Sequence, residues 1–287
     1  MKILYSHNGY HFESYSVVRL LLEELKRRYE VITLISTNRR RADAHMPGCN
    51  LSISVGANSA IPSNSPYKVV ISFTDPPFFQ KWRYDLADLY LSTSLEISRE
   101  FPGALYLPFY TDERYFRPLD SPKTYDCALI GLGSHPRILY RVEVVDRLRE
   151  AGLRVLTAGK RWPDHEDNKG FLSGDDLVNA FCSARFSLDI TNHTTSQGSR
   201  IFQAASCGIP TITLDREDAR QHFEPDKEIL LYRDANASSA VNTIIECVKN
   251  VDAQAVGCNA RKRALRDHTV ALRVDYLAEE LKRRGIE

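Results

Sequence analysis

The sequence predicts an α/β protein made of two successive units, each with a mostly parallel sheet. Its 287 residues match the length of about two average domains. Short apolar runs alternate with stretches in which apolar residues recur at helical spacing, a pattern typical of strand–helix–strand units. At 117–124 the segment RPLDSPKT combines two prolines with polar residues just before a new apolar run. This break predicts the boundary between the units.

The first half begins with a strand, a helix and a second strand. The strands are the runs KILY at 2–5 and VITLI at 31–35, and apolar residues recur at helical spacing between Phe12 and Leu25. The other predictions for this half are strands at 69–73, 89–91 and 104–107, helices around 78–88 and 94–100, and a weak strand at 51–55. The stretch 38–67 is rich in Asn, Ser, Pro and Gly and is predicted to be mostly loop.

The second half repeats the same alternation. Its predicted strands are 126–130, 153–157, 186–190, 210–214 and 228–232, and its predicted helices are about 136–151, 174–184, 197–207 and 237–250. After residue 255, apolar residues recur among dense charges. This pattern predicts one or two amphipathic terminal helices.

The composition excludes several classes of protein. The chain has 43% apolar and 26% charged residues, which is ordinary for a globular protein, and 38 basic against 37 acidic residues leave a net charge of +1. No overall field therefore attracts it to nucleic acid or to an anionic membrane. The six cysteines show neither a CxxC pair nor a zinc-ligand spacing, which predicts reduced core thiols and no metal site. Because no signal-peptide core and no long apolar span is found, we expect a cytoplasmic protein without a membrane span.

Two glycine-containing loops follow predicted strands, at the position where parallel sheets bind anionic ligands. They are SHNG at 6–9 and GLGS at 131–134, and neither matches the Rossmann fingerprint. A tight strand-to-helix turn is the competing explanation for each. The stretch TTSQGSRIFQAASCGIP at 194–210 is more informative. Its small polar half followed by an apolar half with small residues predicts a helix packed close to the sheet, with its N-terminus towards a ligand.

Cations near these loops indicate a diphosphate, which needs Arg or Lys side chains when no metal neutralises its charge. Arg137 follows the second loop closely, and Lys160 follows the next predicted strand. A solvated charge at a helix end is an equally good explanation of each residue.

Several motifs together resemble a known family. The segments GSRIFQAASCGIPTIT, HFEPDKEILLY and HTVALRVDYL are similar to the carboxyl-terminal half of the CgeB-type (spore-maturation) branch of group 1 glycosyltransferases. LPFYTDERYFRP resembles the interdomain segment of the broader group, and GFLSGDDLVNAFCSARFSLDI resembles its approach to the donor site. The resemblance covers about residues 104–276, and the first hundred residues agree only in topology.

The resemblance implies a GT-B fold, in which two Rossmann-like domains with parallel sheets face a central cleft and a C-terminal helix crosses back. The implied domains are an acceptor domain at 1–118, a nucleotide-sugar domain at 119–258 and terminal helices at 259–287 that pack on the N-terminal domain. The implied activity is transfer of a sugar from a nucleoside-diphosphate sugar, with a UDP-sugar as the first expectation and neither cofactor nor metal. The acceptor stays open between a glycan, another polymer and DNA, and no oligomeric state is predicted.

Family roles can be assigned position by position. Arg137 and Lys160 match cations that bind the diphosphate, and Ser199 and Arg200 match the start of the helix beside the phosphates. Gln203 matches the residue that holds the ribose hydroxyls. The remaining expected donor contacts are Gly9 and Gly133 in the two loops, Gly174 near the base, and His193 at the sugar ring.

Two departures from the family pattern affect the expected chemistry. The broader group has two glutamates with seven residues between them, and this chain has Thr195 and Gln203 in their places. An amide still pairs with ribose hydroxyls but cannot act as an acid, so retention or inversion of the sugar stereochemistry stays open.

A base that accepts the proton of the acceptor hydroxyl is expected in the first half. Asp75 directly follows the run VVISFT and is the first candidate, although an aspartate before Pro76 and Pro77 would equally cap a helix. His7 is the second candidate together with His11, because a neutral imidazole is a base near neutral pH.

Two alternatives keep the same architecture. Without the two glutamates, the chain would be a non-catalytic sugar-nucleotide-binding protein. The basic triplet at 39–41 would suit an anionic acceptor and a viral-type DNA-base glycosyltransferase, although the near-neutral net charge argues against that hypothesis.

Overall fold

The computed structural model of the chain describes residues 1–9, 13–35, 48–56, 59–73, 79–133, 140–191 and 198–286. These residues form two compact units. The first unit consists of Met1–Phe109 together with Val270–Glu287, and the second consists of Tyr110–Thr269.

The first unit contains a sheet of six parallel strands in the order β2-β1-β3-β4-β5-β6. The strands are β1 (Lys2–His7), β2 (Glu30–Ile35), β3 (Leu51–Val55), β4 (Lys68–Ser72), β5 (Leu89–Ser92) and β6 (Ala104–Tyr106). All five residues of β3, which the sequence marked only as a weak strand, are buried. Its sequence LSISV alternates apolar residues with serines, and because Ser52 and Ser54 are buried as well, both faces of β3 are covered.

The helices of the first unit come from both ends of the chain. They are α1 (Val17–Arg28), α2 (Lys81–Leu86), α3 (Leu95–Glu100) and the C-terminal α10 (Val270–Arg283). Helix α1 begins where the Ser16 side chain accepts a hydrogen bond from the backbone of Arg19, and it ends in basic residues that complement the helix dipole. Arg28 at that end forms an ion pair with Asp275 of α10.

The second unit contains a sheet of five parallel strands in the order β11-β10-β9-β7-β8. The strands are β7 (Tyr125–Ile130), β8 (Val155–Ala158), β9 (Ala184–Asp189), β10 (Thr211–Leu214) and β11 (Leu230–Tyr232). Its helices are α4 (Tyr140–Glu150), α5 (Gly174–Cys182), α6 (Ser199–Ser206), α7 (Glu217–His222), α8 (Ala237–Asn250) and α9 (Ala253–Asp267).

Both sheets place their first strand between the second and the third. In the second unit β7 lies between β8 and β9, just as β1 lies between β2 and β3 in the first. The crossovers on the two sides of such a strand run in opposite directions, so a crevice opens at the carboxyl ends of the first and third strands. This topology predicts ligand sites at the ends of β1 and β3 and at the ends of β7 and β9.

The bounds of the units differ from the domain bounds expected from the sequence. The second unit already begins at Tyr110 because the Thr111 N–H donates to the carbonyl of His268, 2.9 Å away. It also includes α9, since Gly257 of that helix packs directly against the backbone of Gly208. Of the two terminal helices, α10 is in the first unit and α9 in the second.

The sequence missed helix α7. This helix has only six residues, EDARQH, five of which are polar, so it shows no helical period of apolar residues. Within the described residues, no helix combines the length and the apolar content needed to cross a lipid bilayer.

Candidate functional site

The loops that follow β7 and β8 are bonded to each other at the carboxyl edge of the second sheet. The Gly133 N–H donates to the Lys160 carbonyl over 2.9 Å, and the Gly131 N–H donates to the Ala158 carbonyl over 2.8 Å. The Trp162 indole N–H donates to the Gly131 carbonyl over 2.9 Å. The two expected donor contacts Gly133 and Lys160 therefore lie side by side.

Gly133 is required by the close approach of these loops. A Cβ atom at this position would lie 2.5 Å from the carbonyl oxygen of Arg161 and 2.6 Å from the ring of Trp162. No side chain fits there without moving backbone atoms. The glycine that the sequence could also assign to a tight turn is explained by packing between two loops.

The loop after β8 is in turn bonded to the segment that begins α5. The Gly159 N–H donates to the Gly170 carbonyl over 2.6 Å, and α5 starts at Gly174. The exposed Lys160 ammonium lies 6.0 Å from the ring centroid of Phe171, which is 54% exposed. A cation beside an exposed aromatic ring is thus available at this edge.

The end of β9 is fixed by a buried polar network. Asp189 accepts hydrogen bonds from the Thr213 hydroxyl over 3.0 Å and from the Arg216 guanidinium over 3.1 Å. Arg216 also lies 3.6 Å from the buried carboxyl of Asp218, whose pKa is raised by burial. Asp189 is therefore an acceptor that joins the end of β9 to Thr213 and Arg216.

Helix α6 begins beside this network. Its N-cap residue is Gly198, which provides no side-chain cap, and a Cβ there would lie 3.9 Å from the Asp189 carboxylate. The Arg200 guanidinium in the first turn donates to the side-chain oxygen of Gln203 over 2.6 Å. Gln203 is only 1% exposed and holds Arg200 in place. Ser199, Arg200 and Gln203 thus lie together on the first turns of a helix whose N-cap residue has no side chain that could accept from the N-terminal N–H groups.

Sequence reasoning missed Arg141, which connects the two groups of loops. Its Nη1 donates to the Leu132 carbonyl after β7 over 2.6 Å, and its Nε donates to the Ile190 carbonyl after β9 over 3.0 Å. Arg141 occupies a buried position in the first turn of α4. The sequence does place Arg141 on the same helix face as Val144, Val145 and Leu148. A charged residue is ordinarily assigned to the protein surface, however, so this position was not recognised as buried.

The first unit presents His7 and Gly9 at the carboxyl end of β1. The Gly9 N–H donates to Nδ1 of His7 over 3.1 Å, and the positive φ of Gly9, 77°, permits this turn. The imidazole is buried, and burial lowers its pKa. A neutral ring that already accepts a proton donor at Nδ1 is a weak general base.

Three expected site residues, Asp75, Arg137 and His193, lie outside the described residues. His11, Thr195 and the basic triplet at 39–41 lie outside the described residues as well. Within the described part of the chain, no group of three or more His, Cys, Asp or Glu side chains is arranged to hold a metal ion.

Comparisons with known proteins agree with this architecture. A family model described as "Glycosyl transferase-like" matches residues 141–279, just under half of the chain. A sequence comparison with curated proteins found no match.

Several solved structures share the fold over the whole chain. A sucrose-phosphate synthase from Thermosynechococcus elongatus is 14% identical, with a TM-score of 0.72 over 99% of both chains. HepE from Anabaena, solved in complex with UDP-glucose, is 12% identical, with a TM-score of 0.73 over 98% of this chain and 99% of its own. AviGT4, a glycosyltransferase involved in avilamycin A biosynthesis, is 13% identical, with a TM-score of 0.67 over 99% of this chain and 97% of its own.

These likenesses show the GT-B fold, with two Rossmann-like halves built on parallel sheets. The family match covers most of the unit that contains Gly133, Lys160 and Arg200. The match and the fold together support an enzyme that transfers glycosyl groups.

Proposed function

We propose that this glycosyltransferase binds a nucleoside-diphosphate sugar, preferably a UDP-sugar, at the carboxyl ends of β7, β8 and β9 and transfers the sugar to an acceptor. The observation that supports this best is that the Gly133 and Lys160 loops are bonded to each other at the carboxyl edge of the second sheet, the edge at which α6 also begins. HepE, which has the same fold, was solved with UDP-glucose.

The diphosphate is the part of the donor that this edge suits best. The N-terminus of α6 provides N–H groups with no side-chain cap, and these groups bind anionic oxygens. Gln203 holds the Arg200 guanidinium at the first turn of α6. The Lys160 ammonium is exposed on the loop after β8. With Arg137, they would neutralise the two phosphates as the bond to the sugar breaks.

Gln203 is proposed to hold the ribose hydroxyls. Its side-chain oxygen already accepts from Arg200, so its amide group would be the hydrogen-bond donor to the ribose. Gly174 begins the helix beside the expected position of the base, and His193 is proposed to contact the sugar ring.

The first unit is proposed to bind the acceptor, with Asp75 as the base that takes the proton from its hydroxyl group. His7 is the weaker alternative because its Nδ1 already accepts the Gly9 N–H. Asp75→Asn is expected to abolish transfer and leave UDP binding unchanged. The control is Asp85→Asn, since Asp85 forms an exposed pair with Lys81 on α2. Unchanged transfer by Asp75→Asn would exclude Asp75.

We also assign the chain to the CgeB-type branch, on the motifs from GSRIFQAASCGIP to HTVALRVDYL, and to the cytoplasm. All six cysteines are free thiols, and four of them are buried, as expected for a protein of a reducing compartment.

The proposal is tested by isothermal titration of the folded protein with UDP, GDP and ADP. Binding of at least one of them is expected, and no binding to any would overturn the proposed function. Arg200→Ala should weaken the binding about ten- to hundredfold, because one charge-assisted contact to phosphate contributes about 1.5–3 kcal/mol. Arg220→Ala is the control, since Arg220 is half-exposed on α7 and paired with Asp215, and its affinity should stay within about twofold.

A further inference from the structure

Helix α4 begins with two side chains that bind the backbone at the crevice of the second sheet. The Tyr140 hydroxyl donates to the Thr191 carbonyl over 2.6 Å. Arg141 donates to the Ile190 carbonyl through Nε and Nη2 and to the Leu132 carbonyl through Nη1. One helix turn therefore binds the loop after β7 and the chain after β9 at the same time.

A third side chain completes the attachment of the segment after β9. The Tyr232 hydroxyl at the end of β11 lies 3.2 Å from the Tyr140 hydroxyl and accepts the Thr191 N–H over 3.4 Å. Both tyrosines are buried, and burial raises the pKa of each hydroxyl, so they stay uncharged hydrogen-bonding groups at physiological pH. The chain after Asp189 is thus held by its carbonyl groups and by one N–H.

The guanidinium of Arg141 is buried at this point, and in the described part of the chain all its hydrogen bonds go to backbone carbonyls. A buried cation that is not paired with a carboxylate is costly, and an apolar side chain of similar volume would stabilise a fold as well or better. Stability of α4 alone therefore does not explain an arginine here. The fork of the guanidinium explains it, because only Arg donates to two separate carbonyl groups from one rigid plane.

Resting on the proposed function, we propose that Arg141 is a positioning residue of the donor site, which holds the Gly131–Gly133 loop and the end of β9 at the separation that a bound diphosphate needs. Tyr140 supports Arg141 in this role by holding the carbonyl of Thr191, the residue after Ile190. Arg141 acts through the backbone of these two loops, and its own contacts are with their carbonyl oxygens.

The same helix contains a matched control. Arg149, in the last turn of α4, donates from Nη2 to the carbonyl of Val155 over 2.9 Å. Val155 is the first residue of β8 and lies at the amino edge of the sheet, opposite the crevice. Arg141 is buried and Arg149 is partly buried on the same helix. Both donate to backbone carbonyls, at opposite edges of the sheet.

The experiment compares wild type, Arg141→Lys and Arg149→Lys in the full chain. Each protein is titrated with UDP and with uridine. If wild type prefers another base, the diphosphate and the nucleoside of that base are used instead. Thermal unfolding is followed by circular dichroism. Arg141→Lys should bind the diphosphate at least about tenfold more weakly and the nucleoside within about twofold. Arg149→Lys should bind both as wild type does, whatever its melting temperature.

A purely structural role would lower the melting temperature of Arg141→Lys without this selective loss. The inference is overturned if Arg141→Lys binds the diphosphate as wild type does, or loses nucleoside and diphosphate affinity equally. If Arg141→Lys does not fold, Tyr140→Phe decides, with a loss of about three- to tenfold for the diphosphate expected and an unchanged affinity contradicting the inference. Failure of wild type to bind any nucleoside diphosphate would instead overturn the proposed function itself.

Discussion

Gly133 is a position at which one added methyl group should disturb the donor site. Gly133→Ala would place a Cβ against the Arg161 carbonyl and the Trp162 ring, and overpacking of this kind costs about 1–3 kcal/mol. We expect a lower melting temperature together with weaker UDP binding. Gly198→Ala is the control, because its nearest contact would be at 3.9 Å and its φ of −77° suits any residue. Equal melting temperatures for the two variants would contradict the packing argument.

His7 should make the stability of the first unit depend on pH. Burial lowers the pKa of its imidazole in the folded state below the ordinary value of 6.5, so the unfolded chain binds a proton more readily than the folded one. Stability is therefore full above about pH 6.5 and is lost as the pH falls through 6.5 towards the lower folded pKa.

The measurement is the melting temperature of wild type and of His7→Asn between about pH 5 and 7.5. Asparagine keeps an acceptor for the Gly9 N–H and does not titrate. The wild-type melting temperature should fall more steeply on acidification than that of the variant. Parallel curves would show that His7 does not contribute to the pH dependence.

Among single residues, the sequence could suggest candidate site residues that directly follow strands. It could not suggest a buried residue that holds the loops of the site. Gly133, Lys160 and Arg200 could be proposed because each lies just after a strand or at the start of a helix, and such positions fall at the carboxyl edge of the second sheet. Arg141 was not found. The buried face of a helix is predicted from the spacing of its apolar residues. The same reasoning assigns an arginine to the solvent-exposed face, even where it is buried.

At the scale of the elements, α10 shows how much a distant segment contributes to the first unit. The Arg273 guanidinium donates to the carbonyls of Pro108 over 2.9 Å and Phe109 over 3.2 Å, directly after the last strand of the first sheet. Leu277, on the same helix, is 2% exposed. Helix α10 thus provides an apolar side chain for the core and a hydrogen-bond donor for two backbone carbonyls. The other residues of this unit lie at the opposite end of the chain.

Leu277→Ala should destabilise the first unit by about 2–5 kcal/mol, because a cavity replaces a buried side chain. Hydrogen exchange followed by mass spectrometry should show faster exchange in Met1–Phe109 and no change in Tyr110–Thr269. Leu272→Ala, at a position of α10 that is 37% exposed, is the control, with an effect of about 0.5 kcal/mol or less. Faster exchange in the second unit alone would contradict the assignment of α10 to the first.

The strands and most helices were predictable because apolar periodicity is strong where an element contacts a sheet. The prediction was weakest for β3, which contains two serines and lies in a stretch rich in Asn, Ser, Pro and Gly, and it failed for α7, whose residues are mainly polar. The bounds of the units were not predictable, because the bond from Thr111 to His268 joins residues far apart in sequence. The composition of the break at 117–124 contains no information about that contact.

At the scale of the whole molecule, the nearly balanced charge means that any binding of a polyanion or diphosphate depends on local cations. The proposed donor site uses the ammonium and guanidinium groups of Lys160 and Arg200 for the charge that a divalent ion provides in other transferases. Transfer should therefore continue in excess EDTA, and added Mg²⁺ or Mn²⁺ should change the rate by less than about twofold. A loss of transfer in EDTA that Mn²⁺ restores would contradict this assignment of charge.

The participation of both chain ends in one unit sets an order of events during protein synthesis. Residues 110–269 are contiguous, so they can complete their own sheet and helices soon after the ribosome has made them. Residues 1–109 emerge earlier but lack helix α10 until residues 270–283 have been synthesised. We therefore expect residues 1–109 to complete their packing after residues 110–269, and the surface that α10 covers stays exposed during the interval.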